Sequence, residues 1–348
     1  MSTPPPTGFR FGPCAGPILT RVQTRGLMRA AIAGIIAAAF FAPSASASTS
    51  LDTASADLQA GKADEATQLL NQVLQADPKD AEANNLLCRV EYTVQHFDQA
   101  AVHCEKAVNL SPQNASYHHW LGRATGERAS RASFLSAFSL AKKTRQEFET
   151  AVQLDPRDAD ALADLGEFYI EAPGAVGGGM DRAEAVAKQL DAADAARGHV
   201  FRASIAEKNK DLTIAEQEFK AAISVANHPA IQWMALASFY RRRERWSDME
   251  SAVKSGQAAA THDRHSAIAL FNGASILTRA NRQPQLAIDL YQAYLASPDK
   301  TEEAPAFDAM VHLAKLLSQT GDQAGAQRQR AAALALAHDY KPAQDTKT

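Results

Sequence analysis

A period of 34 residues constrains this chain more than any other feature, because a repeated unit of that size cannot bury a core alone. Pro78 and Pro112 lie 34 residues apart, as do Ala66 and Ala100. The segments that end at these prolines share apolar positions along one helical face, and a third copy ends in the same way at Pro156. The period therefore predicts stacked helical hairpins.

The composition agrees with a helical, folded chain. Hydrophobic residues make up 46% and charged residues 22% of the 348 residues, which is enough apolar material to bury a core. Aromatic residues reach only 7%, and 18 glycines and 15 prolines are too few for a β-sandwich or a low-complexity polymer. The formal net charge of −3 lacks the basic excess that nucleic-acid binding requires, so no nucleic-acid partner is expected.

Each hairpin needs a small residue where its two helices approach, and a stop signal after its second helix. Large residues at i, i+3 and i+7 form the buried face of the first helix, and a small residue lets the second helix pack closely. Proline after the second helix ends it and begins the next turn. Because each hairpin leaves one apolar face uncovered, neighbouring hairpins must stack.

The residues that occupy these positions resemble tetratricopeptide repeats. The first and second helices of such a repeat are called helix A and helix B. Residues 233–240 match the family's helix-A signature, with Ala237 in place of its glycine, and residues 165–169 match the second half of that signature. Leu121-Gly122 also fits, although Trp120 lies two positions later than the signature expects. On helix B, Ala215-x3-Phe219 and Ala287-x3-Tyr291 match the family's Ala-x3-Phe element.

The resemblance implies an all-α fold, a right-handed superhelical α-solenoid of about eight helix-turn-helix repeats. We expect the solenoid to occupy residues 48–340 and residues 341–348 to form a disordered tail. The repeats are placed at residues 50–80, 81–114, 115–158, 159–195, 196–229, 230–266, 267–306 and 307–340.

The first 47 residues have the pattern of a signal peptide with a long n-region. Arg21, Arg25 and Arg29 precede an apolar run over residues 30–42, which is shorter than the ~20 residues that span a bilayer. Small residues at an A-x-A site then follow, ending at Ala47. The alternative is an N-terminal membrane anchor. Removing residues 1–47, which contain four arginines and no acidic residue, changes the net charge to −7.

Export implies an oxidising compartment, so we expect a periplasmic or secreted bacterial protein. No second long apolar run follows the predicted signal peptide, and therefore no stable membrane insertion is expected after cleavage.

Two segments depart from the repeat pattern. The spacing from Pro112 to Pro156 is 44 residues, and the extra length falls in residues 128–143. This segment is either a longer helix B with an added apolar turn packed on the convex side, or a protruding docking element. In residues 173–180, three consecutive glycines precede a helix, and the loop is either mobile or closely packed, or contacts a partner.

Two cysteines remain after the predicted cleavage, Cys88 and Cys104. In the register of the resemblance both occupy inward positions of one hairpin, where their Cα atoms can come within disulfide range, ~4.4–6.8 Å. The alternative is a pair of buried thiols.

No catalytic motif is visible, so no enzymatic activity is expected. Adjacent helix residues point about 100° apart, and His118 and His119 therefore cannot easily share a metal ion. We expect neither a metal nor another cofactor.

The resemblance implies that function lies in the concave groove, which helix A lines. Arg89 and Arg123 would give this groove a partly cationic patch that suits an acidic or C-terminal peptide, although the family's carboxylate-clamping residues are not matched. The predicted function is an exported scaffold that binds a protein or peptide partner; the alternative is a periplasmic assembly or maturation factor for envelope or secreted proteins. The predicted groove residues are Asn85, Arg89, Tyr92, His119, Arg123, Glu167 and Glu171.

Overall fold

The computed structural model describes residues 44–261, 263 and 266–347, and every regular element in this part of the chain is helical. The α-helices are α1 (Ser44–Ala60), α2 (Ala63–Ala76), α3 (Ala81–Thr93), α4 (Phe97–Leu110), α5 (Ala115–Arg131), α6 (Phe134–Leu154), α7 (Ala159–Glu171), α8 (Met180–Ala193), α9 (Ala195–Lys208), α10 (Leu212–Val225), α11 (Ala230–Arg242), α12 (Trp246–Thr261), α13 (Ala267–Arg279), α14 (Pro284–Ala296), α15 (Ala306–Gln319), α16 (Gln323–Leu336) and α17 (Lys341–Gln344).

Helices α1 to α16 pair in chain order, so the described residues contain eight helical hairpins that stack on one another. The prediction of an all-α solenoid of about eight repeats is confirmed. The predicted signal peptide lies outside the described residues apart from residues 44–47, which belong to α1, and it stays a prediction.

Proline and a following capping residue set the repeat boundaries. Pro78 follows α2 by two residues, and Asp80 then caps α3 by accepting a hydrogen bond from the Ala83 amide at 2.8 Å. The same arrangement recurs after α6, where Asp158 caps α7. The side-chain oxygen satisfies a helix amide that otherwise has no partner, and proline prevents the preceding helix from continuing.

Small residues bring the helices into close contact. A Cβ atom on Gly122 would lie 2.4 Å from Cδ1 of Phe148, and one on Gly166 would lie 2.3 Å from Cζ of Phe201. Both aromatic rings are buried against these glycines. The glycine of the helix-A signature is therefore required by the close approach of an aromatic side chain.

The stack closes on itself, so that the first and last hairpins touch. The Asp64 carboxylate accepts a hydrogen bond from the His338 amide at 3.0 Å. Gly61 lies so close to α15 that a Cβ there would be 2.5 Å from the Ala306 nitrogen. Tyr340 is buried in an apolar cluster that combines residues of α1 to α3 with residues of α15 to α17. The described helices therefore enclose a central space.

The insertion over residues 128–143 lengthens both helices of the third hairpin. Helix α5 has 17 residues and α6 has 21, against 13 and 14 in α3 and α4. The interpretation as a longer helix B is correct, but the packing expected for its apolar turn is wrong. Phe134 is 84% and Leu135 82% exposed, because the shorter neighbouring hairpin does not reach them.

Residues 341–348 are predicted from the sequence to form a disordered tail. This prediction is wrong for residues 341–347, which the structure describes. Helix α17 occupies this segment, and Ala343 is fully buried. The Arg330 guanidinium donates to the Ala343 and Gln344 carbonyls, both at 2.9 Å. These two bonds attach the end of the chain to α16.

The glycine-rich loop at residues 173–180 is closely packed. Gly177 adopts a left-handed conformation at φ 98°, and a Cβ on Gly178 would lie 1.8 Å from the Ala172 carbonyl oxygen. Val176 is buried beneath the loop. The loop therefore connects α7 to α8 with little free space.

The contact between Gly122 and Phe148 yields a stability prediction. Gly122→Ala should lower the free energy of unfolding by about 1 to 3 kcal/mol, because the added methyl group meets a buried ring. Helix propensity alone would favour alanine by about 1 kcal/mol. A net loss of stability would therefore show that the clash outweighs this gain. Urea unfolding followed by circular dichroism gives the result.

The matched control is Gly174→Ala, since no atom lies within 4 Å of a Cβ at that position. This variant should differ from the wild type by less than about 0.5 kcal/mol. A Gly122→Ala protein as stable as wild type would contradict the close approach of α5 and α6.

Candidate functional site

The candidate site is a cavity of about 250 Å³ on the inner side of the stack. Helices α3, α5 and α7 contribute one wall, and the segment between α14 and α15 contributes the other. Its lining includes Tyr92, Trp120, Arg123, Asp164, Glu302 and Glu303.

Arg89 crosses the central space to an acidic residue far along the chain. Its Nε and Nη2 atoms donate to the two carboxylate oxygens of Glu302, at 2.9 and 2.7 Å. Both side chains are largely buried. Burial alone would lower the pKa of Arg89, but the Glu302 carboxylate outweighs it and raises that pKa.

Arg123 and His119 share a second carboxylate. The Asp164 Oδ2 atom lies 2.5 Å from Nε of Arg123 and 2.8 Å from Nε2 of His119. Burial opposes ionisation of Asp164, yet the Arg123 guanidinium and the His119 hydrogen bond hold its pKa well below the usual range. Arg123 is thus neutralised by a residue of the next repeat.

Trp120 lies between the two arginines. The Arg89 guanidinium is 5.3 Å and the Arg123 guanidinium 4.8 Å from the indole centroid, within the range of cation–π interactions. Tyr92 meets the same indole edge-on at 5.5 Å. The displacement of this tryptophan from its signature position places it among the groove residues.

The segment over residues 297–305 holds the opposite wall in place. The Tyr294 hydroxyl donates to the Ala304 carbonyl at 2.5 Å and accepts from the Thr301 amide at 3.3 Å. Burial raises the pKa of Tyr294 to about 12, so it remains a donor at neutral pH. The only sequence signal for this segment is the length of repeat seven, residues 267–306, which exceeds the 34-residue period.

The cavity has more negative than positive groups. Five carboxylates line it, against the two guanidinium groups of Arg123 and Arg131. Burial raises the pKa of Glu303, and the neighbouring Glu302 carboxylate raises it further. The cationic groove expected from the sequence is therefore replaced by an acidic one, because carboxylates from distant segments neutralise Arg89 and Arg123.

Among the predicted groove residues, Tyr92 and Arg123 line the cavity, Arg89 and His119 contact its lining carboxylates, and Asn85, Glu167 and Glu171 lie elsewhere. Asn85 is 1% exposed on α3, and no described residue donates a hydrogen bond to its Oδ1 atom. Glu171 lies at the exposed end of α7, where its carboxylate accepts from Lys208 at 2.9 Å. Glu167 lies on α7, one turn before Glu171, and is half-buried. The structure thus brings together Arg89, Tyr92, His119 and Arg123.

Cys88 and Cys104 form a disulfide in the structure, with Cα atoms 5.2 Å apart. Both cysteines are completely buried and belong to the apolar cluster that contains Trp120 and Leu121. The bond therefore attaches α3 to α4 beside the candidate site.

Comparison with known proteins identifies the repeats. Residues 57–124, which include α3, α4 and the start of α5, match the family model described as tetratricopeptide repeat. This part of the chain therefore carries tetratricopeptide repeats. Proteins built from such repeats are in general non-catalytic scaffolds for protein–protein interaction, and this is the coarse function that the solenoid supports. No curated protein matches the chain.

Solved structures match the chain at low identity, and two of the following three are tetratricopeptide repeat proteins. One is a thermophilic protein of Thermus thermophilus, with 20% identity over 56% of this chain and 98% of its own, and a TM-score of 0.47. Another is from Parabacteroides merdae, with 12% identity over 86% of this chain and 100% of its own, and a TM-score of 0.43. The MamA protein has 20% identity over 52% of this chain and 92% of its own, and a TM-score of 0.40.

Two further properties concern the described residues alone. No three His, Cys, Asp or Glu side chains among them are arranged so that they could hold a metal ion. None of their helices combines the length and apolar character that crossing a bilayer requires.

The shared carboxylate of Asp164 yields a prediction about stability and pH. Asp164→Ala should lower the free energy of unfolding by about 3 to 5 kcal/mol at pH 7, because the buried Arg123 loses the carboxylate that is hydrogen-bonded to it. The folded state depresses the pKa of Asp164, so its contribution is complete above the unfolded value of about 3.9 and is lost as the pH falls toward the folded value. The difference from wild type should therefore shrink in acid.

Chemical unfolding at a series of pH values measures this difference. Glu171→Ala is the matched control, since its ion pair with Lys208 is exposed and should contribute less than about 1 kcal/mol. An Asp164→Ala deficit that is below about 1 kcal/mol, or that stays constant down to pH 3, would contradict the assigned pairing.

Proposed function

We propose that this chain is an exported, non-catalytic scaffold that holds a segment of a protein partner in the cavity on its inner face. The observation that carries the proposal is an open space bordered by aromatic rings, whose ion pairs are already made within the protein. Because Arg89 and Arg123 are held by Glu302 and Asp164, the surface is ordered before a partner arrives. Such preorganisation reduces the entropy that binding loses.

The charge of the cavity favours a basic partner segment. Glu303 has a carboxylate whose ionisation is opposed by burial and by Glu302, and a lysine or arginine side chain would relieve both effects. Glu127 and Asp308 add negative charge at the same cavity. The ring of Tyr92 offers a face for cation–π contact. An acidic peptide would instead bring further negative charge next to Glu302 and Glu303.

Two features support export. The charged n-region, the short apolar run and the small-residue exit of residues 1–47 are the parts of a secretory signal peptide. A disulfide between Cys88 and Cys104 is typical of proteins in oxidising compartments.

Peptide mapping of the protein recovered from a bacterial envelope fraction tests export. We expect an N-terminus at Ser48 and, without reduction, tryptic peptides 80–89 and 90–106 joined through their cysteines. The bond closes a short loop and should stabilise the fold by about 3 kcal/mol. An intact N-terminus with two free thiols would contradict both export and oxidation.

The charge of the partner is tested by fluorescence anisotropy with peptides of matched length. Lysine- and arginine-rich peptides should bind, and acidic peptides should not. Glu303→Gln should weaken binding of the basic peptides roughly tenfold, about 1.4 kcal/mol, since it removes the charge of one cavity carboxylate while keeping the side-chain shape.

Glu171→Gln is the control, because this residue lies outside the cavity, and it should leave affinity unchanged. Preference for acidic peptides, or equal affinity of Glu303→Gln and wild type, would disprove the assigned binding mode. Affinity capture from envelope extract then separates a scaffold, which retains one stable complex, from an assembly factor, which retains many client proteins.

A further inference from the structure

A second surface lies at the tip of the α5–α6 hairpin, away from the cavity. Phe134 and Leu135 begin α6 and are 84% and 82% exposed, and Phe138 follows one turn later at 38%. Large apolar side chains clustered on a projecting element are unusual on a soluble surface and indicate an interaction site. We define Phe134, Leu135 and Phe138 as the apolar tip.

The apolar tip projects beyond its neighbours. In the repeat register, α6 starts seven residues before the position at which α4 starts, which corresponds to about 10 Å of helix. A cleft of about 580 Å³ separates this extension from the start of α4 and from α17. At its base the extension is braced, because the Arg131 guanidinium stacks over Phe97 at 4.2 Å.

Basic side chains surround the apolar tip. Residues 128–143 contain four basic residues and no acidic one. Lys142 lies over the Phe138 ring at 4.5 Å and is exposed, and Lys341 lines the adjoining cleft. Arg131 keeps 55% of its side chain exposed, with its Nη2 atom 3.9 Å from Glu127.

The acidic residues of neighbouring helices offset part of this charge. Asp98 accepts a hydrogen bond from Arg128 at 2.7 Å, and Glu105 accepts one from Lys143. Arg131 lies beside Glu127 and also lines the inner cavity, so the positive charge that remains exposed around the tip lies on Lys142 and Lys341.

The size of the apolar tip argues against a stable dimer of this chain. Three side chains of this kind expose at most about 400 Å², whereas a standard protein interface buries about 800 Å² on each partner. A lipid surface requires no complementary socket, and it accepts a small apolar tip together with basic side chains that reach its phosphates.

We propose that the apolar tip and its basic surround are a peripheral docking element for anionic phospholipid. Phe134 and Leu135 enter the boundary between headgroups and acyl chains, and Lys142 and Lys341 face the phosphates. The contact is peripheral and involves no membrane-spanning helix. It is independent of the cavity, which lies on the inner face of the solenoid.

Vesicle co-sedimentation of the full chain tests this proposal. Phosphatidylglycerol vesicles should bind the protein at least tenfold better than phosphatidylcholine vesicles, and 0.5 M salt should remove most of this difference. The double variant Phe134→Ser with Leu135→Ser should lose binding at least tenfold, and Lys142→Gln with Lys341→Gln should lose it several-fold.

Ile214→Ser with Val225→Ser is the matched control, because these exposed apolar residues lie on α10, and its binding should equal that of wild type. Circular dichroism verifies that each variant folds. Equal binding of wild type and the tip variant, absence of wild-type binding, or equal binding to both lipids would overturn the proposal.

A local readout excludes a contribution from the N-terminal residues. Phe134→Trp should show a blue-shifted emission in its difference spectrum against wild type when phosphatidylglycerol vesicles are added, and brominated lipids should quench it. An unshifted spectrum would overturn the proposal. So would a shift that appears without lipid as protein concentration rises, since that result assigns the tip to protein association.

Discussion

The close approach of helices at small residues is the contact on which the rest of this structure depends. Gly122 and Gly166 each receive an aromatic ring at a distance that leaves no space for a methyl group. Because the helices pack so tightly, each hairpin covers the apolar face of its neighbour, and rotation accumulates along the stack. Over eight hairpins this rotation brings His338 of the last repeat to Asp64 of the first.

Closure of the stack determines the electrostatics of its interior. Arg89 and Glu302 are 213 residues apart in sequence, yet they form a bidentate ion pair because the ring places α3 opposite the start of α15. A buried arginine without a partner would be strongly destabilising. Moving residues 297–305 away would separate Glu302 from Arg89, and the ion pair therefore holds this segment in position. The neutralised arginines leave a cavity in which carboxylates outnumber cations, which is why we propose a basic rather than an acidic partner segment.

The two surfaces proposed to bind both include residues of repeats longer than the 34-residue period. The 44-residue spacing from Pro112 to Pro156 revealed the insertion before the structure did, but the apolar residues in it pointed to burial. Phe134 stays exposed because the neighbouring hairpin is shorter. Residues 297–305 left a weaker signal, since a few extra residues between two helices do not reveal where they lie.

Sequence alone determined what depends on short-range rules. These rules place helix boundaries at prolines and capping residues and bring Cys88 and Cys104 together within one hairpin, 16 residues apart. Only the tertiary structure decided that Asp164 pairs with Arg123 and that the last residues pack on the first repeat. Those contacts join distant segments, and their positions follow from the summed rotation of all the repeats, which no single repeat encodes.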